Sequence, residues 1–143
     1  MKKVLIIDGQ GGRIGRALVE QLVPYSDRME LYAVGTNGIA TSNMLKGGNV
    51  KAATGENSII VLSGRADVIA GPIGIIIADA MLGEITPAAA CAVSSANACR
   101  VLVPMNKTQC DNVVAGVKDV PLNTLIEQAR DEILKLIDAG ETE

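Results

Sequence analysis

Histidine, phenylalanine and tryptophan are absent from this 143-residue chain, whose aromatic residues amount to two tyrosines. Without histidine it lacks the commonest metal ligand and the commonest general base. The net charge is −3, no basic stripe runs along the sequence, and neither Phe nor Trp is present to stack on bases. Nucleic acid is therefore not the expected partner. The three cysteines, Cys91, Cys99 and Cys110, are odd in number and lack a framework spacing. They argue against a disulfide scaffold and for a reducing compartment. No C-x-x-C pair occurs, so no metal site is expected. Long apolar runs are also missing. Ile73 to Leu82 is broken by Asp79 and falls far short of the roughly 20 residues that span a bilayer. Val4 to Ile7, after Met1-Lys2-Lys3, is too short for the apolar region of a signal peptide. The expectation is a cytoplasmic protein with no membrane segment.

What the chain does have is aliphatic bulk. Hydrophobic residues make up 48% of it, and nearly all are Val, Ile, Leu, Ala and Met. That palette suits a parallel sheet buried on both faces. The length suits a single domain, residues 1–143, able to bury roughly 68% of the surface its unfolded form exposes.

Val4-Leu5-Ile6-Ile7 reads as a fully buried strand. A glycine cluster follows, and then Ile14, Leu18 and Leu22 recur at helical spacing. Leu31 to Val34 predicts a second strand, Ile39 to Leu45 a short helix, and Val50 to Ala53 a third strand. Thr54 is positioned to cap a helix through Ile59 and Leu62. Asp67 to Ala70 predicts a fourth strand. Ile73 to Leu82 predicts a helix apolar nearly all round, stopped by Gly83, suited to the core or to a subunit interface. Thr86-Pro87 signals the start of another helix, running to about Asn97. Val101 to Val103 predicts a fifth strand and Val113 to Val117 a sixth, at an edge. Pro121 opens a last helix whose Leu122, Leu125, Ile126, Ala129, Ile133 and Ile137 form one stripe. Alternation of this kind implies an α/β fold, a doubly wound, mostly parallel Rossmann-like sheet in three layers, α/β/α. Ligands of such sheets sit beyond the carboxyl ends of the strands, where the strand order reverses.

Asp8-Gly9-Gln10-Gly11-Gly12-Arg13-Ile14-Gly15 reads as G-x-x-G-x-x-G between a strand and a helix. Glycine permits a tight turn and close backbone approach, and free N–H groups at a helix start attract an anion. Gly9, Gln10, Gly11, Gly12, Arg13 and Ile14 are thus candidates to hold a phosphate. The same glycines also serve to pack helix on sheet. Gly35-Thr36-Asn37-Gly38, with Thr41 a turn later, carries no acidic residue for an adenine ribose, which weakens an NAD reading. Gly35, Thr36 and Asn37 can instead meet a phosphate or sugar, or form an ordinary capped turn. Gly71 and Pro72 let backbone pass close to a ligand. Thr54-Gly55-Glu56-Asn57 is a polar island best explained as a helix start. Asp8, Glu56, Asp79, Glu84 and Lys107 are the available acid–base or cationic groups, and no catalytic set among them is singled out.

The phrases IDGQGGRIG (Ile7 to Gly15), GTNGIAT (Gly35 to Thr41), ATGENSII (Ala53 to Ile60), GPIGIII (Gly71 to Ile77), MLGEITP (Met81 to Pro87) and VPMNK (Val103 to Lys107) resemble a bacterial family catalogued as domain of unknown function 3842. They span nearly the whole chain. The resemblance implies a shared pocket and no particular chemistry. GTNGIAT, with Gly47-Gly48-Asn49-Val50 and Gly71-Pro72 after it, also resembles the phosphate-binding part of methylglyoxal synthase.

Three functions follow from these residues. The first is a nucleotide- or dinucleotide-binding protein with its phosphate on the glycine turn; the cofactor stays open between NAD(P) and another nucleotide. The second is a small enzyme acting on a phosphorylated metabolite, methylglyoxal-synthase-like or NAD(P)-dependent; the missing histidine and the missing Tyr-x-x-x-Lys pair count against short-chain reductase chemistry. The third is an oligomeric interaction protein without a ligand. A small phosphorylated ligand and a homo-oligomer are the expected partners.

Overall fold

The computed structural model describes residues 1–104, 112–117 and 120–139. Five strands, β1 (Lys3–Asp8), β2 (Glu30–Gly35), β3 (Lys51–Thr54), β4 (Val68–Pro72) and β5 (Cys99–Val103), form one sheet in the order β3-β2-β1-β4-β5. Every pairing is parallel. The helices are α1 (Arg13–Leu22), α2 (Gly38–Leu45), α3 (Glu56–Ser63), α4 (Pro87–Ser94) and α5 (Leu122–Asp138). The doubly wound, three-layer arrangement expected from the alternation of apolar runs is what forms. Among the described residues no helix is long and apolar enough to cross a membrane.

Successive side chains of a strand point to opposite faces, so β1 feeds two cores. Val4 and Ile6 join Leu18 and Leu22 of α1 and Ile126 and Ile133 of α5. Leu5 and Ile7 join Ile59 of α3 and Ala89, Ala90 and Val93 of α4. Both faces are covered, which is why β1 has no polar alternation. The helix ends follow their local chemistry. Asn37 Oδ1 accepts the Ala40 N–H at 2.9 Å to cap α2. Thr86 Oγ1 accepts the Ala89 N–H at 3.1 Å, with Pro87 in the first turn of α4. Arg100 closes α4, donating to the carbonyls of Ala96 at 2.8 Å and Val93 at 3.3 Å.

Three expectations are corrected. Ile73 to Leu82 is not a helix: a single 3-10 turn, Ile73–Ile76, gives way to a loop with positive φ at Asp79, Met81, Leu82 and Gly83. A glycine and three consecutive β-branched residues weaken a helix there. Ile75 and Ile85 both anchor in the core, and the Asp79 N–H donates to the Ile85 carbonyl at 2.7 Å, cinching the loop. With Ile75 buried and Ile73, Ile76 and Ile77 half-buried, the run is no open apolar face. Val113 to Val117 forms no strand, and among the described residues the sheet ends at β5. Thr54 does not cap α3. Gly55 takes that place, and the Thr54 hydroxyl pairs with Thr41 Oγ1 at 2.7 Å.

Candidate functional site

Parallel register brings the glycine-bearing turns to one edge. Asp8 lies opposite Gly35, and Ile6 opposite Ala70. The turn after β1 and the turn after β2 therefore meet, and the Thr36 N–H donates to the Asp8 carbonyl at 3.0 Å. Gly71 and Pro72 reach the same edge but are buried. A Cβ on Gly71 would stand 2.2 Å from the Ile7 carbonyl oxygen, so this glycine serves the approach of β4 to β1.

Much of the glycine turn is likewise explained by packing. Gly12 has φ 71° and a virtual Cβ 2.6 Å from the Ala40 carbonyl oxygen, so α1 and α2 meet through it. Gly15 would drive a Cβ into Met44 Sδ at 2.5 Å. Ile14 is buried in the core. The inside of the turn is filled by the chain's own carboxylate: Asp8 Oδ1 accepts the Gly9 N–H at 2.8 Å and Oδ2 the Gly15 N–H at 2.7 Å. The N–H groups of Gly11 and Arg13 donate to no described acceptor. Arg13 is exposed.

The remaining candidates gather around a second carboxylate. Glu84, in the connection between β4 and α4, places Oε1 2.8 Å from the Gln10 N–H donor, 2.6 Å from the Thr36 hydroxyl and 2.8 Å from Asn37 Nδ2. Asn37 also donates to the Gln10 carbonyl at 3.1 Å. Met81 of the same connection lies over Gly9, whose Cβ would stand 2.7 Å from its Sδ. Gln10, Thr36 and Asn37 thus form a cradle of one N–H, one O–H and one NH2 around a negative oxygen.

Beside this cradle a groove of about 320 Å³ is lined by Gly11, Gly38, Ile39, Ser42, Asn43 and Lys46. Ser42 of α2 and Lys46, which closes that helix, stand on one face at i, i+4 spacing. Asn43 ties the groove to the glycine turn, donating to the Gly11 carbonyl at 2.8 Å and accepting from Arg16 at 3.0 Å.

A family model described as Domain of unknown function (DUF3842) matches residues 3–138. The chain belongs to this family. No curated protein matches it. Among solved structures it is similar to a dodecameric FMN-dependent UbiX-like decarboxylase from Escherichia coli O157:H7. The identity is 19% and the TM-score 0.46, over 95% of this chain and 76% of that one.

Two carboxyls of this DUF3842 domain have displaced proton affinities. Burial pushes Asp8 up; the amides of Gly15, Gly9 and Ile14 pull against it, the charge of Glu84 adds to the rise, and the net shift is upward. Burial also pushes Glu84 up, but the bonds from Thr36, Gln10 and Asn37 outweigh it and hold its carboxyl below the ordinary range. Glu84 is therefore the carboxylate that stays charged in the cradle.

Of the other sequence candidates, Asp79 is exposed and shares no bond with the cradle. Glu56 accepts the Thr86 hydroxyl, bracing α3 against the start of α4. Lys107 lies outside the described residues. Sequence reasoning missed Ser42, Asn43 and Lys46 as groove residues. Their signal was the polar i, i+4 face of a helix that follows a glycine turn. It also gave Glu84 only a proton-transfer role, because nothing local in MLGEITP points toward the β2 turn.

Proposed function

We propose that this DUF3842 chain binds a small phosphorylated ligand, of the nucleotide class, at the carboxyl ends of β1 and β2. One observation carries the reading: a glycine-turn residue whose N–H has no acceptor among the described residues borders a groove that also carries a cation. Gly11 lines that groove, and Lys46, the residue that closes α2, supplies the positive charge. A phosphate gains from backbone N–H groups and from the start of α1. The exposed side chain of Ile39 offers an apolar wall for a flat ring, and the Ser42 hydroxyl can reach a sugar or phosphate oxygen.

A thermal-shift screen of the purified chain against nucleotides, NAD(P)(H), flavins, sugar phosphates and triose phosphates tests this. A ligand at 100 times its Kd adds about 2.7 kcal/mol. That corresponds to a rise of roughly 8–12 °C for a chain this size. Lys46→Gln removes the cation at an exposed position and should abolish the shift while leaving the unliganded melting temperature within about 2 °C. Silence across the panel refutes the reading. The same reading includes self-association, supported by the adjacent exposed side chains of Ile60 and Val61 on α3. Light scattering that finds a monomer at high concentration would count against that part.

A further inference from the structure

We propose that the Gln10–Thr36–Asn37 cradle is an anion pocket for a phosphoryl group, and that Glu84 occupies it until the ligand displaces it. The proposal rests on the reading above for the kind of ligand, while the existence of the pocket rests on its own geometry.

The donors come from two separate turns and converge on a single oxygen at 2.6–2.8 Å. A backbone N–H, a hydroxyl and an amide NH2 are the groups that hold phosphate oxygens at glycine turns. Glu84 uses them with one oxygen alone; its Oε2 accepts from no described residue. A phosphoryl group brings three oxygens to three donors. Gln10 is followed directly by Gly11, which lines the groove and whose N–H has no acceptor among the described residues. An anion in the cradle is therefore continuous with a ligand lying along α2.

The segment carrying Glu84 is built to leave. Its tip, Leu82, is 98% exposed and buries nothing. Met81 and Leu82 are held at φ 60° and 57°, a conformation that residues other than glycine, asparagine and aspartate adopt at a cost. Ile75 and Ile85 anchor the two flanks in the core, and bonds from the Asp79 N–H to the Ile85 carbonyl and from the Ile85 N–H to the Ala80 carbonyl close the loop on itself, so it can swing out as a unit that gives up only the partial packing of Ala80 and Met81. Met81 would leave Gly9 with it, opening the close backbone approach that a glycine permits. Glu84 thus acts as a competitor tethered within the chain. It sets a threshold for binding and makes the loop report occupancy.

The test is calorimetric titration of inorganic phosphate and of ADP into the full chain, Glu84→Ala and Glu84→Gln. If the pocket is open about a tenth of the time in the unaltered chain, Glu84→Ala should bind phosphate about ten-fold tighter. Glu84→Gln keeps the side chain's length without its charge and should shift affinity in the same direction, which covers a failure of Glu84→Ala to fold. Adding Thr36→Val should erase the gain. In the unaltered chain, ADP should speed amide exchange across residues 77–84. Equal affinities in all three proteins, a loss of affinity in the Glu84 variants, or protection of 77–84 by ADP would overturn the proposal. If ADP binds the unaltered chain and the Glu84 variants alike, this inference alone fails. If neither probe binds any of them, the nucleotide reading fails with it.

Discussion

The Glu84 carboxylate lies 2.6 Å from the Thr36 hydroxyl, although 48 positions separate the two in the sequence. This bond and its two companions hold the Glu84 carboxyl below the ordinary value of 4.5. A carboxyl whose folded value is depressed stabilises the fold above its unfolded value. That contribution is lost as the pH falls through the depressed folded value. Glu84→Gln keeps an accepting oxygen and loses the charge, so it should cost about 1 kcal/mol at neutral pH, the difference between a charge-assisted and a neutral hydrogen bond. The gap should close in acid. Urea denaturation at stepped pH measures it, and a gap that does not change with pH would refute the electrostatic account.

Asp8 presents the opposite sign. It is 5% exposed, and its carboxyl is raised by burial and by the charge of Glu84. An acid raised in the folded state takes up its proton more readily there than in the unfolded chain. It therefore favours the fold as the pH falls through the folded value toward the unfolded one. Two N–H donors, Gly9 and Gly15, use its two oxygens. Asn has one oxygen and an NH2, so Asp8→Asn leaves one amide facing a donor. The expected cost is about 2 kcal/mol at neutral pH. A carboxyl NMR titration should also find Asp8 at a lower value in Glu84→Gln, since one repelling charge has gone. An unmoved titration would show that the two carboxyls do not interact.

The parts of this fold that could be read from the sequence are those where one local rule decides. β1 is legible because four apolar residues in a row have no other cheap home. α4 is legible because Thr86-Pro87 satisfies and shapes a helix start on its own. Ile73 to Leu82 was not legible. Its apolarity fits a helix or an anchored loop equally well, and the distant pairing of Glu84 with Thr36 favours the loop. The glycine turn was legible as a turn, but not for its purpose. Gly12 looks the same whether it admits a phosphate or the backbone of Ala40. The cradle is half legible: Gln10, Thr36 and Asn37 stand out in their turns, and the carboxylate that joins them comes from a segment with no matching signal.

The two central glycines of the turn should respond differently to substitution. Gly12 combines φ 71° with a virtual Cβ 2.6 Å from backbone. Gly12→Ala adds left-handed strain to overpacking and should cost about 3 kcal/mol. Gly11 has φ outside the left-handed range, and its nearest obstacle is Arg13 Cγ at 3.8 Å. Gly11→Ala should change stability by less than about 0.5 kcal/mol. Guanidinium melts of the two variants decide the matter; equal losses would mean that packing against α2 is not what fixes Gly12.

Ser63 is 2% exposed, and its hydroxyl has no partner among the described residues. A buried polar group without a hydrogen bond is costly. Ser63→Ala removes the oxygen and leaves the packing of α3 nearly unchanged. Stability should rise by about 1 kcal/mol. A fall on substitution, read from the urea midpoint, would show that the hydroxyl is satisfied in solution.

Leu82 and Met81 share the left-handed conformation, with φ 57° and 60°, but not the same surroundings. Leucine in that region costs roughly 1–2 kcal/mol, whereas asparagine tolerates it. Leu82 buries almost none of its side chain, so Leu82→Asn relieves strain and uncovers nothing. It should stabilise the fold by about 0.5–1 kcal/mol. Met81 is half-buried, packs with the core and lies over Gly9. Met81→Asn relieves similar strain but gives up apolar burial of about the same size, so it should bring no gain. The two thermal midpoints separate these contributions. A rise for both substitutions would mean that Met81 contributes little to holding the loop over the turn. A rise for neither would mean that the left-handed residues carry no appreciable strain.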